Sequence, residues 1–331
     1  MFGMRRREFI TLLGGAAAAW PLASGAQQAA MPVVGFLDIR SPQAMTDRLR
    51  GFRQGLRDTG YVEDDNVKIL YRWADNKIER VQELTAELVR RQVAVIYAGG
   101  NTAVVLTAKA ATTSIPIIFV VPEDPVRLGL VAAIARPGDN LTGINFLNTE
   151  LVAKQLAILH EMVPRAVRVA VFVNPANVPT LQATERDAHP AARTMGLQIQ
   201  MFPVSTGREI DIAFSTFARE PPDALFVGTD GFLSSRRVQF VQQAAHHRLP
   251  ALYSGREFSE IGGLMSYGTN IADAFHQAGV YAGRILKGTK PVDLPVLQPS
   301  KFELVINAQT ARMLGLAVPP TLLTTADEVI E

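Results

Sequence analysis

Short runs of apolar and β-branched residues alternate along the chain with stretches whose apolar positions recur every three or four residues. The run 33–37 predicts a strand. Over 44–59, Met45, Leu49, Phe52 and Leu56 fall on one face of a helix, and Gly60 supplies its stop. A strand at 67–72, a helix at 77–91 with Ile78, Val81, Leu84 and Leu88 inward, and strands at 93–97, 115–121 and 142–146 follow. Segments 101–112 and 126–135 separate those last strands. The pattern then restarts, with strand 168–173, helix 179–195, strand 197–202, helix 209–218, strand 224–227 and helix 234–246. Short strands at 251–253 and 263–267, a long helix at 272–286, a strand at 303–307 and a short helix near 309–314 complete it. Strands that are apolar throughout and joined by helices predict parallel sheets covered on both faces. Two such sets in series predict an α/β protein of two lobes, with the boundary near 147–150 and no low-complexity linker.

The length of 331 residues agrees with two domains, and a chain that is 48% hydrophobic and 19% charged buries a substantial core. The net charge of +2 excludes the strongly basic face of a general nucleic-acid binder. The absence of cysteine excludes disulfides, thiol catalysis and Cys-ligated zinc. The five histidines show neither HxxxH nor HExxH spacing. No cofactor or metal is therefore expected.

The first 26 residues read as an export leader: Arg5-Arg6-Arg7, then Glu8-Phe9-Ile10, an apolar run to Trp20, and a small-x-small site at Ser24-Gly25-Ala26. Arg6-Arg7-Glu8-Phe9-Ile10 fits the twin-arginine pattern. The apolar run of roughly ten residues is too short to cross a ~30 Å hydrocarbon core as a helix. Cleavage near Ala26 leaves 30 basic and 30 acidic residues. The rest of the chain holds no run of the ~18 apolar residues a membrane span needs. The periplasm is the expected location.

In open parallel sheets, ligands bind beyond the carboxyl ends of the strands, and the loops there are polar. Asp38 and Ser41 follow the first strand, and Gly99-Gly100-Asn101-Thr102 the third. Glu123 and Asp124 follow the fourth, and Asn145 and Phe146 end the fifth. Asn174, Asp230, Phe232, Tyr253, Arg256 and Glu257 occupy equivalent loops of the second half. Gly100, Asn101 and Thr102 open a helix whose free N–H groups suit a carboxylate. Asp124 and Asp230 suit an ammonium group; as helix caps they would serve the backbone instead. Phe146, Phe232 and Tyr253 suit stacking on an apolar ligand, or lobe core. Arg256 and Glu257 suit a ligand or each other. A GxSxG elbow, a GxxxxGK loop and a GxGxxG fingerprint are all missing. This combination points to binding without catalysis.

The leader 5–16, Phe52-Arg53-Gln54-Gly55-Leu56-Arg57, Ile69-Leu70-Tyr71-Arg72-Trp73-Ala74 and Asp124-Pro125-Val126 resemble ABC transporter substrate-binding proteins. So do the segments 135–143, 262–268, 301–307 and 326–331, in order over nearly the whole chain. The resemblance is to the group that includes tryptophan- and aromatic amino-acid-binding members. It implies a type I periplasmic binding fold, with two Rossmann-like lobes joined by a three-strand hinge. The first lobe would take 32–146 with 272–300, and the second 147–271 with 301–331. It further implies a non-enzymatic, monomeric protein that captures a small ligand, an amino acid or related compound. The partners would be a membrane permease and its ATPase on separate chains, with a receptor kinase as the alternative. Glu123 and Arg127 depart from the small or apolar residues of that family segment, which implies a different or more polar ligand.

Overall fold

A computed structural model describes residues 31–299 and 301–331, so the leader read at 1–26 lies outside the described residues. Strand β1 (Val33–Asp38) is apolar on both faces and sits inside its sheet, flanked by β2 (Lys68–Trp73) and β3 (Val95–Gly99). Beyond β3 lie β4 (Ile117–Val121) and β5 (Leu141–Asn145), giving the order β2-β1-β3-β4-β5, all parallel. Helices α1 (Thr46–Asp58), α2 (Val81–Arg90) and α3 (Thr102–Ala111) make the crossovers between β1 and β4. The β4–β5 crossover, 126–135, has no helix. Pro125, Gly129 and the Pro137-Gly138 pair break helical backbone there.

The second half continues through α4 (Val152–Met162), β6 (Arg168–Val173), α5 (Val178–Met195), β7 (Gln198–Pro203), α6 (Gly207–Thr216) and β8 (Ala224–Val227). Then come α7 (Gly231–Ser235), α8 (Arg237–His246), β9 (Ala251–Tyr253), α9 (Arg256–Ser259) and β10 (Met265–Thr269). After α10 (Ile271–Leu286), β11 (Phe302–Asn307), α11 (Ala308–Met313), α12 (Pro320–Thr325) and β12 (Glu328–Ile330) close the chain. The second sheet is ordered β12-β11-β10-β9-β8-β6-β7. It is not wholly parallel: β11 runs antiparallel to β10, because the chain enters it from the other lobe rather than through a helical crossover. The helix expected over 234–246 is split at Arg236.

Helix α10 packs on α1 of the first lobe through facing glycines. A Cβ on Gly55 would collide with the His276 carbonyl, and one on Gly279 with the Phe52 carbonyl. The chain thus passes between the lobes three times, near 145–148, 269–271 and 297–302. Asn148 ties the first two passages, accepting from Thr269 N at 3.1 Å, while Thr269 Oγ1 donates to the Phe146 carbonyl at 2.6 Å. The residue before it, Leu147, holds a left-handed φ of +58°, a strained conformation for a residue with a branched side chain. Among the described residues no helix is long and apolar enough to cross a membrane.

Candidate functional site

Strand ends and helix starts from both lobes meet in one cleft. It is lined by Gly100, Asn101 and Thr102 of the first lobe, Asn177, Asp230 and Gly231 of the second, and Asn148 and Thr269 between them. The cavity there has a volume of about 70 Å3. The lobes are drawn together. A Cβ on Gly231 would collide with the Gly100 carbonyl of the other lobe, so glycine is what permits this approach.

On the first lobe's side, Asn101 caps α3, its side chain accepting from Ala103 N at 2.8 Å. Gly100 adopts φ +82°, where a side chain would also strike Asp38. Asp38, at the end of β1, is fully buried and grips Arg40 in a two-pronged ion pair, 2.8 Å to Nε and 2.7 Å to the terminal nitrogen. Burial works against the Arg40 charge, but Asp38 more than compensates and its pKa ends raised. Arg40 lies over the Phe275 ring at 5.7 Å. Phe275, Phe146, Val120 and Ile271 form the apolar wall.

On the second lobe's side, Asp230 caps α7. One oxygen accepts from Phe232 N at 2.7 Å, Leu233 N at 3.3 Å and Asn174 Nδ2 at 2.9 Å. The other accepts from Asn177 Nδ2 at 3.0 Å. Burial nevertheless raises the Asp230 pKa, with those donors opposing.

Side-chain contacts join the two lobes beside the cleft. Arg48 of α1 donates to Glu257 at 2.5 Å. Burial alone would raise Glu257; the Arg48 charge reverses this and leaves it below the usual range. Burial lowers Arg48 in turn. Glu123 accepts from Thr102 Oγ1 at 2.7 Å and, from the other lobe, from Thr180 Oγ1. Burial raises its pKa, the two threonines opposing. Three cleft-lining side chains keep an unpartnered buried atom: Arg48 Nε, Asn177 Oδ1 and Glu257 Oε2.

Of the residues singled out from sequence, Gly100, Asn101, Thr102, Phe146, Asp230 and Glu257 line the cleft. Asp38, Glu123 and Asn174 stand one layer behind, each bonded to a lining residue. The others serve elsewhere. Phe232 and Tyr253 face the apolar core of the second lobe, where Tyr253 stacks on Phe258 at 4.6 Å. Arg256 pairs with Glu260, Glu303 and Glu328 rather than with Glu257. Asp124 caps the backbone of Val126 and Arg127, and Asn145 accepts from Leu147 N within the hinge. Ser41 precedes the short helical turn Pro42–Met45 without capping it through its side chain. Sequence reasoning missed Arg40, Arg48, Asn148, Asn177 and Phe275. Arg40, Asn148 and Asn177 lay inside the polar loops after the strands; Arg48 and Phe275 read as ordinary helix positions. Among the described residues, no group of three or more His, Asp or Glu is placed to hold a metal ion.

Comparison with known proteins agrees with the two-lobed fold. A Tyrosine-binding protein of Clostridioides difficile (strain R20291) is 28% identical over 268 residues, 81% of this chain and 76% of that one. The crystal structure of the ABC domain in complex with L-Trp from Streptococcus pneumonia superposes with a TM-score of 0.81 at 25% identity, covering 90% of this chain and 99% of that one. A ligand-free, open structure of a substrate binding protein with adhesive properties from Clostridium difficile gives 0.63 at 23% identity, with the same coverage. The profile described as "ABC transporter substrate binding protein" matches residues 33–330, so the chain belongs to that family of ligand-binding proteins.

Proposed function

We propose that this protein captures a small amine-bearing solute, an amino acid or a close relative, and delivers it to a membrane permease energised by a separate ATPase. The observation that carries the reading is the Arg48–Glu257 pair, which joins the two lobes beside a cleft with an apolar wall and a half-buried acceptor, Asp230. Such a pair forms only when the lobes meet. A ligand touching both lobes therefore shifts the equilibrium toward the closed form by the difference in its contacts with the two states. The ligands named for two relatives, tyrosine and L-Trp, support an aromatic or apolar body on the solute. The leader read at 1–26 supports export to the periplasm, with cleavage near Ala26; amino-terminal sequencing of the exported protein tests that point.

The function is tested by mass spectrometry of what co-purifies with the mature chain, followed by a thermal-shift panel of amino acids, amines and amides. A solute at 100 times its Kd stabilises the folded form by about 2.7 kcal/mol. Asp230→Ala is expected to weaken the binding of that solute without unfolding the protein. A panel in which no solute raises the melting temperature would falsify the capture reading.

A further inference from the structure

The charges of the cleft do not balance, and the imbalance has one sign. Two guanidinium groups line it, and each already holds a carboxylate: Arg40 has Asp38 and Arg48 has Glu257. Two more carboxylates, Glu123 and Asp230, have no cation in contact among the described residues; hydroxyl, amide and backbone donors hold them instead.

The position of Glu123 decides what this means. Its side chain is buried, with the residue 5% exposed. It takes the hydroxyl proton of Thr102, the first residue of α3, whose N-terminal end lines the cleft. A helix N-terminus with free N–H groups is where the carboxylate of a ligand would be favoured. Here the chain stations a carboxylate of its own beside that end and occupies the threonine hydroxyl with it. A second carboxylate, from a ligand, would meet like charge in poorly screened surroundings.

The unpartnered atoms agree. Asn177 is 2% exposed; its Nδ2 is committed to Asp230, and its Oδ1 has no partner. Glu257 Oε2 is a second unpartnered acceptor, against one unpartnered donor, Arg48 Nε. Asp230 and the Asn177 carbonyl together form an acceptor pair suited to an N–H-rich cation.

We propose that the ligand is an organic amine with an aromatic or apolar body and no free carboxylate. Its ammonium group is received by Asp230 and the Asn177 carbonyl, and Glu123 stands where the carboxylate of an amino acid would go. This rests on the capture reading above and narrows it.

The test is calorimetric titration of the extensively dialysed full protein with tyramine, tryptamine and phenethylamine, each against its parent tyrosine, tryptophan or phenylalanine. At least one amine should bind at least tenfold tighter than its parent. In Glu123→Gln, which keeps the shape and removes the charge, that ratio should fall at least fivefold. The wild-type ratio stands as a test even if the variant folds poorly. An amino acid that binds as tightly as its amine overturns the proposal, and so does an unchanged ratio in a folded Glu123→Gln. Failure of all six probes while another solute binds overturns the amine assignment alone. Failure of every solute overturns the capture reading with it.

Discussion

The two arginine–carboxylate pairs of the cleft use the same chemistry for different ends. Asp38 ends β1 and Arg40 lies two residues on in the loop that follows, so both belong to the first lobe. Their pairing is present whether the lobes are apart or together, so it contributes to the fold and nothing to closure. Arg48 and Glu257 belong to different lobes, and their contact exists only when the lobes meet. If the protein works by the proposed hinge closure, that pair biases the open–closed equilibrium. A salt bridge acts on conformation only if its partners are carried by the parts that move.

The comparison can be broken from either side. The largest effect is expected from Arg40→Ala, which leaves Asp38 buried without its cation. Breaking a buried pair in this way costs roughly 3–5 kcal/mol. Urea denaturation of the ligand-free protein should show a loss of that size, and an unchanged midpoint would mean that the pair does not hold the wall of the cleft. Next comes Gly231→Val, whose side chain meets the Gly100 carbonyl on closure. Overpacking of about 2 kcal/mol would weaken ligand binding roughly thirtyfold, with little change in ligand-free stability. Arg48→Ala removes a charged hydrogen bond worth about 1.5–3 kcal/mol when formed. A fall in affinity of about tenfold is expected, again with ligand-free stability nearly intact. If Arg48→Ala and Arg40→Ala cost equal stability, the distinction between the pairs fails.

The smallest effect is with pH. Burial raises Glu123 and Asp230. The ligand-free protein therefore gains stability as pH falls through their raised values toward the ordinary carboxylate range. A bound ammonium requires Asp230 ionised, so amine affinity should fall as pH falls through the raised Asp230 value. Glu257, held low by Arg48 and more weakly by Arg237, acts with the opposite sign: its contribution is complete above the ordinary value and lost as pH falls through the lowered one. Urea midpoints and amine titrations taken on either side of the ordinary carboxylate range separate the two, since the first set acts above that range and Glu257 below it.

Part of the cleft was readable without coordinates, because capping is local chemistry. Asn101 and Asp230 cap helices with their own side chains and sit at strand ends, so sequence order alone placed them. The facing of a residue was harder to read. Phe232 follows Asp230 by two positions and Tyr253 ends β9, yet both turn into the core, because a five-residue helix and a three-residue strand are too short to show a period. Arg48 sits among Asp47, Arg50 and Arg53 on a helix that reads as a solvated face. Its partner Glu257 is 209 positions away, and no local pattern announces a contact of that span.

By itself, then, the amino-acid order determined the succession of strands and helices, the two-lobed α/β plan and the helix-capping polar residues, since each follows from interactions between near neighbours. Tertiary structure decided which carboxylates are neutralised by arginine and which are left to amides and hydroxyls. It also decided where glycine lets one lobe touch the other. Those outcomes depend on groups far apart in the chain, and electrostatic pairing and steric fit act through space.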